Sequence, residues 1–208
     1  MKIGIAGVSG VGKSTLTKAV SEALKIPAII DTDVHAAVFA RMEQLGQIPH
    51  TKFFPNMTPE EHVNFERVYV SVRLEMESLL PDFIGDETPL DLINYFYHVC
   101  APHPELMSPL EFGTTVISLW EQARKYDFIW YLAPGQIPIV DDHRRFTNEH
   151  LLTGWDFTLR GLLGQVLDQD KPMVGFLMEV PEFEKRVGVV SESAKLLKTI
   201  EAERKLMN

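Results

Sequence analysis

A single cysteine, Cys100, is all the thiol in this chain, so no internal disulfide can staple it and it is compatible with a reducing compartment. Cys100 therefore reads as a structural thiol rather than a reactive one. No apolar run is long enough to span a bilayer, and residues 3 to 6 yield to glycine before a signal-peptide core could form. A cytoplasmic protein is expected. Basic charge is also short: 20 Lys and Arg stand against 29 Asp and Glu, a formal net charge of −9. That balance disfavours nucleic-acid binding across a broad basic face but leaves room for a local basic cleft. His50, His98 and His103 lack metal-ligand spacing, and the base-reading N-K-x-D signature of guanine switches is missing. Neither a zinc site nor a guanine switch is expected. With no repeat, low-complexity tract or linker in 208 residues, 45% of them hydrophobic and 24% charged, the chain reads as one globular domain spanning 1–208.

What is present is an alternation. Apolar runs at Ile3 to Ala6, Ala28 to Ile30, Phe83 to Ile84, Phe128 to Leu132 and Val174 to Leu177 read as buried strands, with helical patterns between them. This predicts an α/β fold around a mostly parallel sheet. "TPEEHV", "TPLDLI" and "SPLEFG" share one grammar: a hydroxyl N-cap, proline at the first helical position, and a carboxylate two residues further on. Helices should begin after Thr58, Thr88 and Ser108, the first running on to Pro81 with Val63, Val70 and Leu74 near one face. "RMEQLGQIPHTKFFPNM" predicts a loop or substrate-covering flap at about 43–58, carrying Phe53 and Phe54. Closing the core under a surface loop is the other role open to those aromatics.

The opening "MKIGIAGVSGVGKSTL" satisfies G-x-x-x-x-G-K-[ST] between an apparent strand and an apparent helix. Gly7, Gly10 and Gly12 let the backbone curl with its N–H groups inward, making an anion cradle at the positive end of the helix. Lys13 would reach the terminal phosphates and the Ser14 hydroxyl would help hold Mg²⁺, with Thr15 just behind. A glycine turn alone would explain the glycines but not the lysine and hydroxyl. The loop points to ATP and Mg²⁺ as cofactors.

Ligands of open parallel sheets gather beyond the carboxyl ends of the strands, which gives weight to acids there. In "AIIDTDVH", Asp31 and Asp33 lie two apart, so one is expected to meet substrate. Asp33, further into the loop, is preferred as proton acceptor or sugar ligand, the alternative being a cap on a helix starting near Val34. In "PDFIGDETPLD", Asp86 is the candidate for orienting the Mg²⁺ shell, a role Glu87 could share or replace. Asp91 reads chiefly as a helix-start carboxylate. Pro134 and Gly135 then break the fourth strand, and "DDHRRF" concentrates charge within a lid at about 134–158. Arg144 and Arg145 fit the need to neutralise a transferring phosphoryl group, with Asp141 and Asp142 holding them or making surface pairs. His143 reads as a loop histidine.

With these residues in hand, the chain resembles the P-loop nucleoside and nucleotide kinases, and within them the ribosylnicotinamide-kinase-like ATPase group. "GVSGVGKST" is shared by many NTPases, whereas "GDETPLD", "ARKYDFIWYLAP" and "IPIVDDHRRF" look like that group's third strand, fourth strand and lid, in order. The resemblance implies a three-layer fold with a five-stranded parallel sheet and a helical lid, Asp33 at the acidic position after strand two, and Arg144 or Arg145 as lid arginine. Related kinases often carry an arginine after the strand-three acid, where this chain has Glu87.

The expected activity is transfer of the γ-phosphoryl of ATP to a nucleoside, nucleotide or related acceptor. An alternative is phosphorylation of 5-hydroxymethyluracil within DNA, as in some bacteriophage kinases that resemble thymidylate kinases. A regulatory ATPase or switch without a small-molecule acceptor is a third possibility.

Overall fold

The computed structural model describes residues 1–135, 147–167, 172–177, 180 and 182–207. Five strands, β1 (Lys2–Ala6), β2 (Ala28–Ile29), β3 (Phe83–Asp86), β4 (Phe128–Tyr131) and β5 (Met173–Phe176), form one parallel sheet in the order β2-β3-β1-β4-β5. Each lies within a residue or two of an apolar run expected from the sequence. Side chains alternate across the sheet, as period-two geometry requires. Ile3, Ile5, Ile84 and Trp130 pack on one face, and Phe83, Ile129 and Tyr131 on the other.

Helices α1 (Lys13–Leu24) and α7 (Phe183–Met207) contribute to the first of these layers. The second is filled by α2 (Asp31–Gln44), α3 (Pro59–Ser78), α4 (Pro89–Val99) and α5 (Pro109–Ala123), together with most of the buried face of α6 (Glu149–Leu167). The result is a three-layer α/β/α fold. β1 sits at its centre, with Ile5 level with Asp86 of β3 on one side and Trp130 of β4 on the other. The carboxyl end of β1 therefore opens between two strand ends, where a parallel sheet gathers ligands.

The three proline-led helices begin at Pro59, Pro89 and Pro109, as expected. Thr58 and Thr88 complete reciprocal capping boxes with Glu61 and Asp91, whereas Ser108 accepts from the Glu111 N–H without the reciprocal bond. α3 ends at Ser78, three residues short of Pro81, because proline disfavours helical geometry in the residue before it.

α2 departs further from expectation. It begins at Asp31, not near Val34, so Asp33 lies in a first helical turn rather than in a loop. The N–H groups of Asp33 and Val34 both bond to Ile30 O, closing that turn at once after a two-residue strand. Two carboxylates there suit the positive helix end, although no side chain caps it. α2 also runs to Gln44, into the stretch expected to be flap, and Phe54–Asn56 make a single 3-10 turn. Of the expected lid, Pro134 and Gly135 form a turn and residues from Glu149 onward belong to α6. Asp141, Asp142, His143, Arg144 and Arg145 lie outside the described residues. Among the described residues no helix is long and apolar enough to cross a membrane. Burial pushes the Cys100 thiol up to about 12, as befits a thiol that stays protonated in the core.

Candidate functional site

The loop between β1 and α1 is shaped by its glycines. Gly12 adopts φ 91°, ψ 19°, a left-handed conformation costly to any side chain. A Cβ on Gly7 would come within 2.6 Å of Leu132 O at the end of β4. The loop thus passes against a strand end closely enough to exclude side chains.

Lys13 is buried, and its Nζ donates to Gly7 O at 2.7 Å and Val8 O at 3.1 Å. Glu87 Oε1 stands 3.7 Å from the same ammonium. Burial works against this charge, but the carboxyls of Glu87, Asp91, Asp86 and Asp31 outweigh it and hold the Lys13 pKa above its ordinary value. Lys13 is therefore a charged group whose bonds to the loop carbonyls a phosphate oxygen can replace.

Ser14 donates its hydroxyl to Asp86 Oδ2 across the gap between α1 and β3. The pairing follows from register: Asp86 shares the sheet face of Ile84, the face on which α1 packs. Asp86 Oδ1 is buried and has no hydrogen-bond partner among the described residues. A serine hydroxyl beside an orphaned carboxylate oxygen is a hard oxygen donor set that fits Mg²⁺. Burial raises the Asp86 pKa and Lys13 opposes it. Of the other loop residues, Gly10 is at φ 84° and Thr15 is exposed on the first turn of α1.

The two acids after β2 part company. Asp31, half-buried, accepts from Tyr69 Oη at 2.7 Å and lies 3.3 Å from His35 Nε2. Asp33 is exposed, away from this group. The geometry brings Asp31, not the preferred Asp33, into the acidic cluster, because the helix starts two residues before Asp33 and turns it outward.

Glu87 joins the same cluster. It takes Tyr95 Oη at 2.9 Å and lies 3.3 Å from Tyr69 Oη. Burial, then the charge of Asp31, drives its pKa well above the carboxylate range, while Lys13 pulls the other way. Glu66 on α3, half-buried, is pushed up to about 8 by burial and by Asp31. Tyr69, Tyr95 and Glu66 were invisible as site residues in the sequence, where each is one position in an amphipathic helix. Only the helical spacing of Glu66 and Tyr69, about one turn apart, could have hinted at a shared face.

Asp91 proves to be more than a cap. Its Oδ2 accepts from the Thr88 N–H at 2.7 Å and the Thr88 hydroxyl at 2.6 Å, and its Oδ1 accepts from the Gly7 N–H at 3.0 Å. One buried carboxylate therefore fixes both the start of α4 and the start of the glycine loop between β1 and α1. Of the flap aromatics, Phe54 packs on Phe65 at 4.9 Å and on His35 at 5.1 Å, while Phe53 is exposed. His50 pairs with Glu61 at 2.7 Å, and His98 and His103 line a cavity of about 240 Å³ with His62 and Trp155. That cavity shares no residue with the cluster around Lys13.

The fold so defined is shared with solved nucleoside and nucleotide kinases. The structure is similar to deoxyadenosine kinase from M. mycoides solved with dCMP and dCDP, at TM-score 0.62 and 14% identity over 94% of this chain and 99% of that one. The same enzyme with bound dATP matches at TM-score 0.59 and 14% identity over 94% and 100% of the two chains. Thymidylate kinase from Candida albicans follows at 0.55 and 15% identity, over 95% and 92%. No protein-family model matches the chain, and neither does any curated protein.

Proposed function

We propose that this chain is an ATP- and Mg²⁺-dependent kinase that transfers the γ-phosphoryl group to a hydroxyl of a nucleoside-like acceptor. The observation that carries the proposal is the pairing of Ser14 with Asp86 beside Lys13, facing a second acidic group at Asp31. A nucleotide switch needs the first half of this arrangement; a two-substrate kinase needs both. The fold's likeness to deoxyadenosine and thymidylate kinases supports the same class of acceptor. The narrower likeness to ribosylnicotinamide-kinase-like ATPases rests on the motifs alone.

The loop N–H groups and Lys13 would hold the phosphates of ATP, and Ser14 and Asp86 would hold the metal. Mg²⁺, when bound, neutralises charge on the phosphate oxygens. Asp31 is better placed than Asp33 to accept the acceptor's hydroxyl proton, since its neighbours Tyr69 and His35 fix its carboxylate. As that proton leaves, the hydroxyl oxygen bonds to the γ-phosphorus and the bond from phosphorus to the bridging oxygen breaks, releasing ADP. Arg144 or Arg145 would neutralise the equatorial oxygens from the lid. Because Glu87 and Glu66 both lie in the field of Asp31, and Lys13 is the described cation that pairs with Glu87, an acceptor without phosphate suits the cluster better than a monophosphate.

The test offers labelled ATP and Mg²⁺ with nucleosides, nucleoside monophosphates and 5-hydroxymethyluracil-containing DNA in parallel. Labelled nucleoside product is expected. Label released only as inorganic phosphate would overturn the kinase in favour of an ATPase. Lys13→Met should lower turnover about 10²–10³-fold. Asp31→Asn should lower it about 10²-fold or more while Asp33→Asn leaves it nearly unchanged, and the reverse pattern would return the role to Asp33.

A further inference from the structure

α3 carries one arginine into the interior. Arg73 is 1% exposed, and its Nε donates to Glu77 Oε1 at 2.7 Å, one turn further along the helix. Glu77 is held in turn by Tyr126 Oη at 2.7 Å and Gln122 Nε2 at 2.6 Å. An ion pair at that spacing would ordinarily be read as helix support. The two outer nitrogens say otherwise: Nη1 donates to Asp86 O and Nη2 to Glu87 O, both at 2.8 Å.

Those carbonyls belong to the two peptide planes that flank the Glu87 Cα, and the rotation between them is what φ and ψ of Glu87 measure. Glu87 has φ 67°, a left-handed conformation that a residue with a side chain avoids unless its surroundings impose it. A planar guanidinium holds both planes and Glu77 with three separate nitrogens in a rigid fork, a geometry that the single nitrogen of an ammonium does not reproduce. Gly85 lies beneath that guanidinium, where a Cβ would run into Nη2. The strand has therefore given up a side chain to let the fork approach.

We propose that Arg73 is a positioning residue: its guanidinium fixes the backbone of Glu87, and through it aims Asp86 at Ser14 and Glu87 at Lys13. The inference rests on the kinase reading for its effect on turnover, but its effect on the β3 end is independent of that reading.

Arg73→Met alone would leave Glu77 buried and unpaired and could fail to fold. The test therefore uses Arg73→Lys, which keeps the charge but not the fork, and the double variant Arg73→Met/Glu77→Gln, which removes the pair together. Amide exchange is measured across the free chain. The Glu87 N–H, bonded to Ile5 O at 3.2 Å, reports directly on the positioned segment. Binding of a non-hydrolysable ATP analogue is then followed against Mg²⁺ concentration, with turnover on the accepted nucleoside.

Both variants are expected to unfold cooperatively, to exchange the amides of residues 86–88 at least about tenfold faster with α1 and α4 unchanged, and to need about tenfold more Mg²⁺. Wild-type exchange at 86–88 in variants that fold would overturn the proposal, as would loss of protection spread evenly over the domain. A wild-type chain that bound no Mg²⁺ with the analogue would overturn the kinase, while exchange at 86–88 would still decide the role of Arg73.

Discussion

α3 and α4 start with almost the same words, "TPEE" and "TPLD", and both close a reciprocal capping box, yet their carboxyls are driven in opposite directions. Glu61, near solvent, is held down to about 2 by the Thr58 and His50 backbone N–H groups, with little burial to resist them. Asp91 receives a comparable set of bonds, but its burial wins and its pKa is raised. The same local grammar thus yields a surface staple in one place and, in the other, a buried joint between a helix and the glycine loop after β1. Local sequence sets which bonds form; depth in the fold sets what they are worth.

Asp91→Ala against Glu61→Ala should separate the two most. The first leaves the Gly7 N–H and both Thr88 donors buried without partners, a loss of about 3 kcal/mol or more, seen as a fall in Tm of about 6–12 °C. Glu61→Ala should cost about 0.5–1 kcal/mol and leave ATP affinity alone, whereas Asp91→Ala should weaken it by loosening the loop. Equal costs would mean that burial makes no difference to this motif. A smaller contrast is expected from the hydroxyls: Thr88→Ala at about 1–2 kcal/mol and Thr58→Ala at about 0.5–1, compared by denaturant midpoint.

Acid should open one box before the other. Glu61 has a lowered pKa, so its contribution is fully present above its unfolded value and is lost as pH falls towards about 2. Asp91 has a raised pKa, so its contribution is largest in acid and declines as pH rises through its folded value. Amide exchange between pH 4.5 and 2.5 should thus deprotect the Thr58 N–H, which donates to Glu61, while sparing the Thr88 N–H, which donates to Asp91; simultaneous loss would abolish the distinction. Glu66, pushed up to about 8, obeys the second rule without being a cap. Glu66→Gln should raise Tm more at pH 8 than near pH 5, since only the carboxylate loses by being held in the fold as pH climbs towards its folded value.

The strands, the three proline-led helices and the tight glycine loop between β1 and α1 were legible because each is written in local chemistry: apolar runs, caps, and glycines before a lysine. The start of α2 was not, since "DTD" serves equally as a loop or a first turn, and no side chain caps it. Asp31 therefore lost to Asp33 on the page and gained its place only from Tyr69 and His35, which arrive from α3 and from one turn on. Arg73 and Glu77 were hidden for another reason. In "SVRLEMES" an i,i+4 ion pair is spelled identically whether it faces water or β3. Deep charge carries no sequence mark of its own.

The two ends of the sheet differ in a way that bears on handling the protein. β2 offers two residues at its edge, too few to template a new strand, while β5 offers four, with Met173 and Phe176 exposed at its ends. A chain of net charge −9 is kept apart by repulsion that salt screens away. In concentrated, salty solution the first unwanted association should therefore be strand addition along β5, which makes that edge, and not the acidic surface, the place to set a gatekeeping charge.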